Sequence, residues 1–193
     1  MTNRSMRTDR SMIYAIAGAA AIVLALVGAG LAPSRAKDSV TPTPTPTETP
    51  PPPILVKELT PRSTFTDKVR GTFRVKLEGQ ARNVIKMDDP SRTVVTRITV
   101  QPDAQFPWHT HPGAVIVNVA KGELVYVSAS DCVERSYPAG TAFVDPGHGH
   151  VHTAFNPTNR VTVLYATFFE VPEEGPLTIT EGVEAPADCE VGS

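Results

Sequence analysis

The sequence predicts an all-β domain, a small jelly-roll sandwich or barrel, standing behind an N-terminal apolar segment and a proline-rich linker. Three observations carry this. Nineteen prolines in 193 residues are too many for a helical bundle, because each removes an amide donor and clashes inside a helix. From Phe65 to Pro172 short runs with a period of two alternate with turn clusters, and no helical periodicity interrupts them. A hydrophobic content of 40% is enough to fill one core. With 18 basic and 20 acidic residues the net charge is −2, and no basic stripe is present to track phosphates, so nucleic acid is excluded as a partner. No internal repeat supports a solenoid.

In chain order, residues 1–11 form a basic region containing Arg4, Arg7 and Arg10, which the positive-inside rule keeps in the cytoplasm. Residues 12–32 are uncharged and as a helix would extend about 31 Å, enough to cross a bilayer. They read as a transmembrane anchor or as a signal segment. Their length exceeds that of a usual signal core, whereas Gly30-Leu31-Ala32 and Ser34-Arg35-Ala36 offer small residues to a peptidase. Either way the remainder is extracytoplasmic, membrane-anchored or secreted. Residues 33–60 form a Pro/Thr-rich linker whose Thr-Pro alternation favours polyproline II, a stiff spacer of roughly 40 Å at about 3.1 Å per residue.

Residues 61–172 are assigned to the barrel. Alternation is clearest in Phe73–Leu77 and Val94–Val100; further strands are expected at Thr141–Val144, His150–Phe155 and Val161–Glu170. Val115–Val119 and Glu123–Val127 flank Ala120-Lys121-Gly122 and are expected to pair as a hairpin. Tyr126, Phe143, Tyr165 and Phe168 are expected to fill the core, as is Trp108. Residues 173–193 are an acidic, irregular tail. Cys132 and Cys189 are an even pair in an exported segment, so a disulfide pinning that tail is expected.

All five histidines fall in two short stretches, His109 and His111 in one, His148, His150 and His152 in the other. Residues two apart on a strand point to the same face, so each stretch can aim its imidazoles into a barrel interior. Imidazole is the commonest protein ligand for divalent transition metals. The competing reading is a surface histidine-rich loop or hydrogen-bonded core histidines. Asp145 is expected mainly to cap the turn before Pro146, with support of an imidazole as the second reading.

Asp103, five residues, His109-Thr110-His111, three residues, Val115, six residues and Gly122 resemble the first cupin motif, G-x5-H-x-H-x3-E-x6-G. Gly140, five residues, Pro146, Gly149, His152 and Asn156 resemble the second, G-x5-P-x-G-x2-H-x3-N, with one extra residue after Pro146. The resemblance implies a double-stranded β-helix, the cupin jelly-roll barrel, with a metal site of His109, His111 and His152. His150, or less favourably His148, is available as a fourth nitrogen. Asp103 replaces the opening glycine, and Val115 replaces the glutamate that usually completes the site. A centre without that carboxylate leaves the charge of the ion uncompensated and favours an anionic or chelating substrate.

Two functions follow from the resemblance. One is a mononuclear metal-dependent dioxygenase, or a related enzyme for a small-molecule substrate, using a divalent transition metal such as Fe, Mn or Zn. The other is a non-catalytic extracytoplasmic module that binds or senses a small ligand or metal. Dimerisation is common among cupin-like barrels, so the resemblance leaves a homodimer open, and no residue of the sequence identifies an interface.

Overall fold

The computed structural model describes residues 50–192. The expected cytoplasmic region, the anchor or signal segment, and residues 33–49 of the linker lie outside the described residues. Among the described residues there is no helix. Eleven strands follow in order: β1 Ile54–Glu58, β2 Ser63–Thr64, β3 Gly71–Val75, β4 Asn83–Met87, β5 Arg92–Val100, β6 Val115–Lys121, β7 Glu123–Ser128, β8 Glu134–Pro138, β9 Ala142–Asp145, β10 His152–Phe155 and β11 Thr162–Phe168.

β5 organises the larger sheet. Its sequence, rich in Val, Ile and Thr, suits a pleated half-buried surface, and Val94, Thr96, Ile98 and Val100 are buried in strict alternation. The order is β1-β5-β11-β6-β9, with β2 also pairing β5, and every ladder is antiparallel. Register stacks the inward residues in rows: Ile98 opposite Leu164 and Leu164 opposite Val119, Thr96 opposite Ala166 and Ala166 opposite Val117, Val94 opposite Phe168 and Phe168 opposite Val115. These rows form one wall of the main core.

The second sheet runs β10-β7-β8. Bridges between Gln105 and Phe155 and between His109 and His152 lay the 105–109 segment along the free edge of β10. β3 and β4 form a separate ribbon carrying Phe73, Ile85 and Met87 in a smaller cluster. Residues of both main sheets, Ile98, Leu164 and Ala166 from one and Leu124, Tyr126 and Ala154 from the other, line one interior cavity, so the two sheets face each other across it.

Three expectations are corrected. β6 and β7 pair with different sheets rather than as a hairpin. Gly122, at φ +76°, instead turns the chain from one sheet into the other. Thr162 locks that corner, its hydroxyl donating to the Glu123 carbonyl at 2.7 Å and accepting from the Glu123 amide at 3.1 Å. β1 lies in the segment assigned to the linker, because Leu59 and the strand before it find their ladder partners on β5. Tyr165 is 40% exposed, since its register neighbours Arg97 and Asn118 place it on the outer face. The last strand ends at Phe168, two residues short of the expected Glu170, and no further strand follows among the described residues; Cys132 and Cys189 are joined by a disulfide across 57 residues.

Candidate metal centre

His109 and His111 sit where the edge segment bends past β10, and His152 opens β10 itself. The backbones of His109 and His152 exchange two hydrogen bonds of 2.9 Å, N–H to carbonyl in both directions. This close pairing brings their rings to a centroid distance of 4.1 Å, while His111 lies 4.8 Å from His109 and 5.2 Å from His152. One ring nitrogen from each lies within 4.8 Å of the other two, and all three residues are buried. The two stretches of chain therefore meet at one point.

Each ring is oriented through its other nitrogen. The Nδ1–H of His109 donates to the Pro107 carbonyl at 2.7 Å, and that of His111 to the Leu177 carbonyl at 2.8 Å. His152 Nδ1 faces the Asp145 carboxylate at 3.1 Å and the His150 carbonyl at 3.3 Å. Carbonyls and carboxylates only accept, so each Nδ1 carries the proton and each Nε2 keeps its lone pair. Fixing the tautomer from behind in this way is how proteins prepare imidazoles for a metal.

Electrostatics agree with the geometry. Burial lowers the pKa of His109 to about 3, helped by the neighbouring His152 and His111. Burial likewise lowers His152 to about 4, against the opposing pull of Asp145, and lowers His111. All three are neutral at pH 7, the form that binds metal. Burial pushes Asp145 up, yet His152, His111, the Tyr126 hydroxyl and the Gly147 amide together hold it below the usual carboxylate range. Burial and Asp145 push the Tyr126 phenol well above its ordinary value, so it remains a donor.

Asp145 thus does more than cap a turn. Its Oδ1 accepts the Gly147 amide at 2.8 Å, as expected, while Oδ2 accepts the Tyr126 hydroxyl at 2.7 Å and faces His152. Both roles coexist because its side chain is fully enclosed between β9, β7 and the turn at Pro146. Tyr126, expected as core filling, is the group that fixes the carboxylate. Neither it nor the two backbone carbonyls behind His109 and His111 left a signal in the sequence.

The remaining histidines take other positions. His150 joins Asp145 and His152 in a second grouping rather than His109 and His111; its ring nitrogens lie 3.4 Å from the Tyr126 and Ser128 hydroxyls. His148, at φ +51°, turns outward to Glu170 at 2.5 Å. Val115 lines the cavity, and Asp103 is exposed in a turn. Asn156 is fully buried and acts as a structural knot: its amide donates to the carbonyls of Val100, Gln101 and Arg160, and its oxygen accepts from Thr158. Trp108 is half-buried and does not line the cavity.

The cavity in front of the imidazoles measures about 70 Å³. Apart from the three histidines, Asp145, Tyr126 and Thr178 its walls are apolar, and among the described residues no lysine or arginine lines it. The site can hold one divalent ion on three nitrogens beside a small apolar chamber.

No family model matches the chain. It is 31% identical over 98 residues to an (R)-mandelonitrile lyase of Granulicella tundricola, a match covering 51% of this chain and 70% of that protein. Among solved structures it is similar to a cupin-like protein from Thermotoga maritima, at 26% identity and a TM-score of 0.39, covering 44% of this chain and 61% of that one. The chain therefore spans less than two thirds of the length of that structure. It is also similar to a Cupin_2 domain of an XRE family transcriptional regulator from Enterobacter cloacae, at 18% identity and a TM-score of 0.41, covering 63% of this chain and 99% of that one.

Proposed function

The chain belongs to the cupin superfamily, and from that premise we propose that it is an extracytoplasmic, metal-dependent enzyme acting on small, largely apolar molecules. The observation that carries the proposal is the convergence of three buried, neutral imidazoles whose Nδ1 atoms are all held from behind. His109, His111 and His152 would hold the ion, which supplies Lewis acidity toward an oxygen or nitrogen donor of a bound molecule. The protein walls supply the rest. Ile98, Phe106, Leu124 and Leu164 exclude water and receive an apolar body, and Asp145 partly offsets the charge of a dication. With three neutral imidazoles and that carboxylate a dication keeps one net positive charge, so the ion would favour a donor atom, neutral or anionic, while the walls, to which no described lysine or arginine contributes, favour an apolar body. The disulfide supports an oxidising, extracytoplasmic location.

Between reaction types, the relative's name favours redox-neutral cleavage of a small molecule over the dioxygenase chemistry suggested by the ligand set. The test uses the full chain purified in a mild detergent. Its metal content is measured by mass spectrometry, followed by aldehyde release from aromatic cyanohydrins and by oxygen uptake with small diketones and phenols. Aldehyde release supports the lyase reading, and oxygen uptake replaces it with the dioxygenase. Stoichiometric metal without any turnover favours a binding module. If the double variant His109→Ala, His111→Ala retained metal at the native stoichiometry, the assigned site would be wrong.

A further inference from the structure

The irregular tail contributes one backbone atom to the candidate centre, and it is the atom that orients His111. The Leu177 carbonyl accepts the Nδ1–H of His111 at 2.8 Å. Two residues on, Ile179 exchanges backbone hydrogen bonds with Thr110, 2.9 Å in one direction and 3.0 Å in the other. Leu177 and Thr178 also form part of the cavity wall. A strap of three residues therefore forms part of the chamber wall and sets one imidazole.

The strap has no strand of its own to hold it. On its N-terminal side Arg62 donates to the carbonyls of Pro172 and Gly175 at 3.0 and 2.8 Å, and Arg92 pairs with Glu173 at 2.8 Å. On its C-terminal side, beyond Ile179, the described ties to the barrel are the Cys132–Cys189 disulfide and one bond from the Gly192 amide to Glu134. Exposed ion pairs and single hydrogen bonds stabilise weakly. The chain itself ties the strap to β11 on one side, and on the other side the disulfide is the covalent anchor that keeps the effective concentration of the strap at the site high.

We propose that the Cys132–Cys189 disulfide is a redox latch on the candidate centre: while oxidised it holds Leu177 against His111, and its reduction frees the strap, releases His111 and weakens metal binding. The proposal rests on the metal-site reading for its consequence, although the strap itself stands on the geometry alone. Reduction by a dithiol transfers two electrons and two protons to the S–S bond. It yields two cysteine thiols while the dithiol becomes a disulfide. Loss of a group that orients a metal-binding imidazole typically weakens affinity about 10–100-fold. Since the freed strap still rebinds part of the time, about 10-fold is expected here.

The experiment compares the full chain in detergent as oxidised protein, as protein reduced by dithiothreitol, and as the variant Cys132→Ser, Cys189→Ser. Three quantities are read: the affinity for zinc in competition with a chromogenic chelator, amide exchange at Ile179, and the His111 Nδ1–H resonance of metal-free protein. Faster exchange at Ile179, loss or splitting of the His111 resonance, and a zinc affinity lowered about 10-fold are the expected results. Identical exchange and an unchanged His111 resonance in oxidised and reduced protein overturn the latch. If the protein takes up no zinc in any state while Ile179 and His111 still respond, the metal-site reading fails and the latch is supported. Should the double variant fail to fold, reduction of the intact protein in place provides the same comparison.

Discussion

Replacing Asp145 by asparagine changes one atom type at the most heavily shared acceptor of the site, and its effect on metal binding can be worked from the contacts. The Asn Oδ1 keeps the Gly147 amide, which Asp145 accepts at 2.8 Å. An NH2 group then stands where Oδ2 met the Tyr126 hydroxyl at 2.7 Å and His152 Nδ1 at 3.1 Å. Tyr126 can rotate its hydroxyl to accept, but His152 cannot donate to a donor. Either its Nδ1–H turns wholly to the His150 carbonyl, now at 3.3 Å, or the ring takes the other tautomer and carries its proton on Nε2, which must then leave before metal binds. The first course loses a charge-assisted bond and the second costs a proton; both also remove an anion next to a dication. A loss of about 10–100-fold in metal affinity is expected, or roughly 1.4–2.7 kcal/mol. Chelator competition measures it, with near-ultraviolet circular dichroism to show that packing is intact. An Asp145→Asn protein that is folded and binds metal within about twofold of the native affinity would refute the reasoning.

Three further predictions concern the same region. Acidification should destabilise the metal-free protein: folding depresses His109 to about 3, His152 to about 4 and also lowers His111 from their common starting value of 6.5. The unfolded chain thus binds more protons in that window, and stability present above about pH 6.5 is lost as pH falls, by up to about 1.4 kcal/mol per pH unit for each group. Urea midpoints that are equal at pH 7 and pH 5 would contradict this. Gly147→Ala should cost at least about 2 kcal/mol in denaturant unfolding, because Gly147 has φ +62° and an added Cβ would strike the Gly113 carbonyl; a variant as stable as the native protein would show that the turn can relax. Val115→Glu should tighten divalent binding while destabilising the metal-free form, read by chelator competition and thermal unfolding; unchanged affinity would mean that this side chain does not reach the ion.

Much of the barrel was legible because burial on one face imposes a period of two, and β5 and β11 show it directly. The three ligand candidates were legible for the same reason, since short spacing within each stretch is local information. Pairing partners were not. Val115–Val119 and Glu123–Val127 have the pattern of a hairpin, yet β6 pairs with β11 and β9 while β7 pairs with β10 and β8, partners that lie outside both runs and leave no mark on the local pattern. β1 was hidden by its neighbours, because proline runs and exposed Leu55 and Val56 resemble a spacer until β5 offers a free edge. Backbone acceptors such as Pro107 and Leu177 have no side-chain signature, so the orientation of His109 and His111 could not be read from residue types. Nor could the placing of His150 with Asp145 and His152 instead of with His109 and His111, which depends on how far the turn at Gly147–Gly149 swings.

The absent glutamate also acquires a physical meaning from register. Val115 on β6 pairs directly with Asp145 on β9, and both side chains line the cavity. Directly opposed residues on one face have Cβ atoms about 4.5–5.5 Å apart, near enough for like charges to destabilise each other. A carboxylate at Val115 would stand beside the Asp145 carboxylate in a buried, metal-free site, and one of the two would have to take a proton. With valine at that position, Asp145 remains ionised on its contacts with Tyr126, Gly147 and His152, and its charge acts through the imidazole instead of through a bond to the ion. One negative charge is retained beside the three imidazoles either way, while valine at this position leaves the adjoining cavity wall apolar, so that a bound ion would meet a substrate donor there instead of a protein ligand.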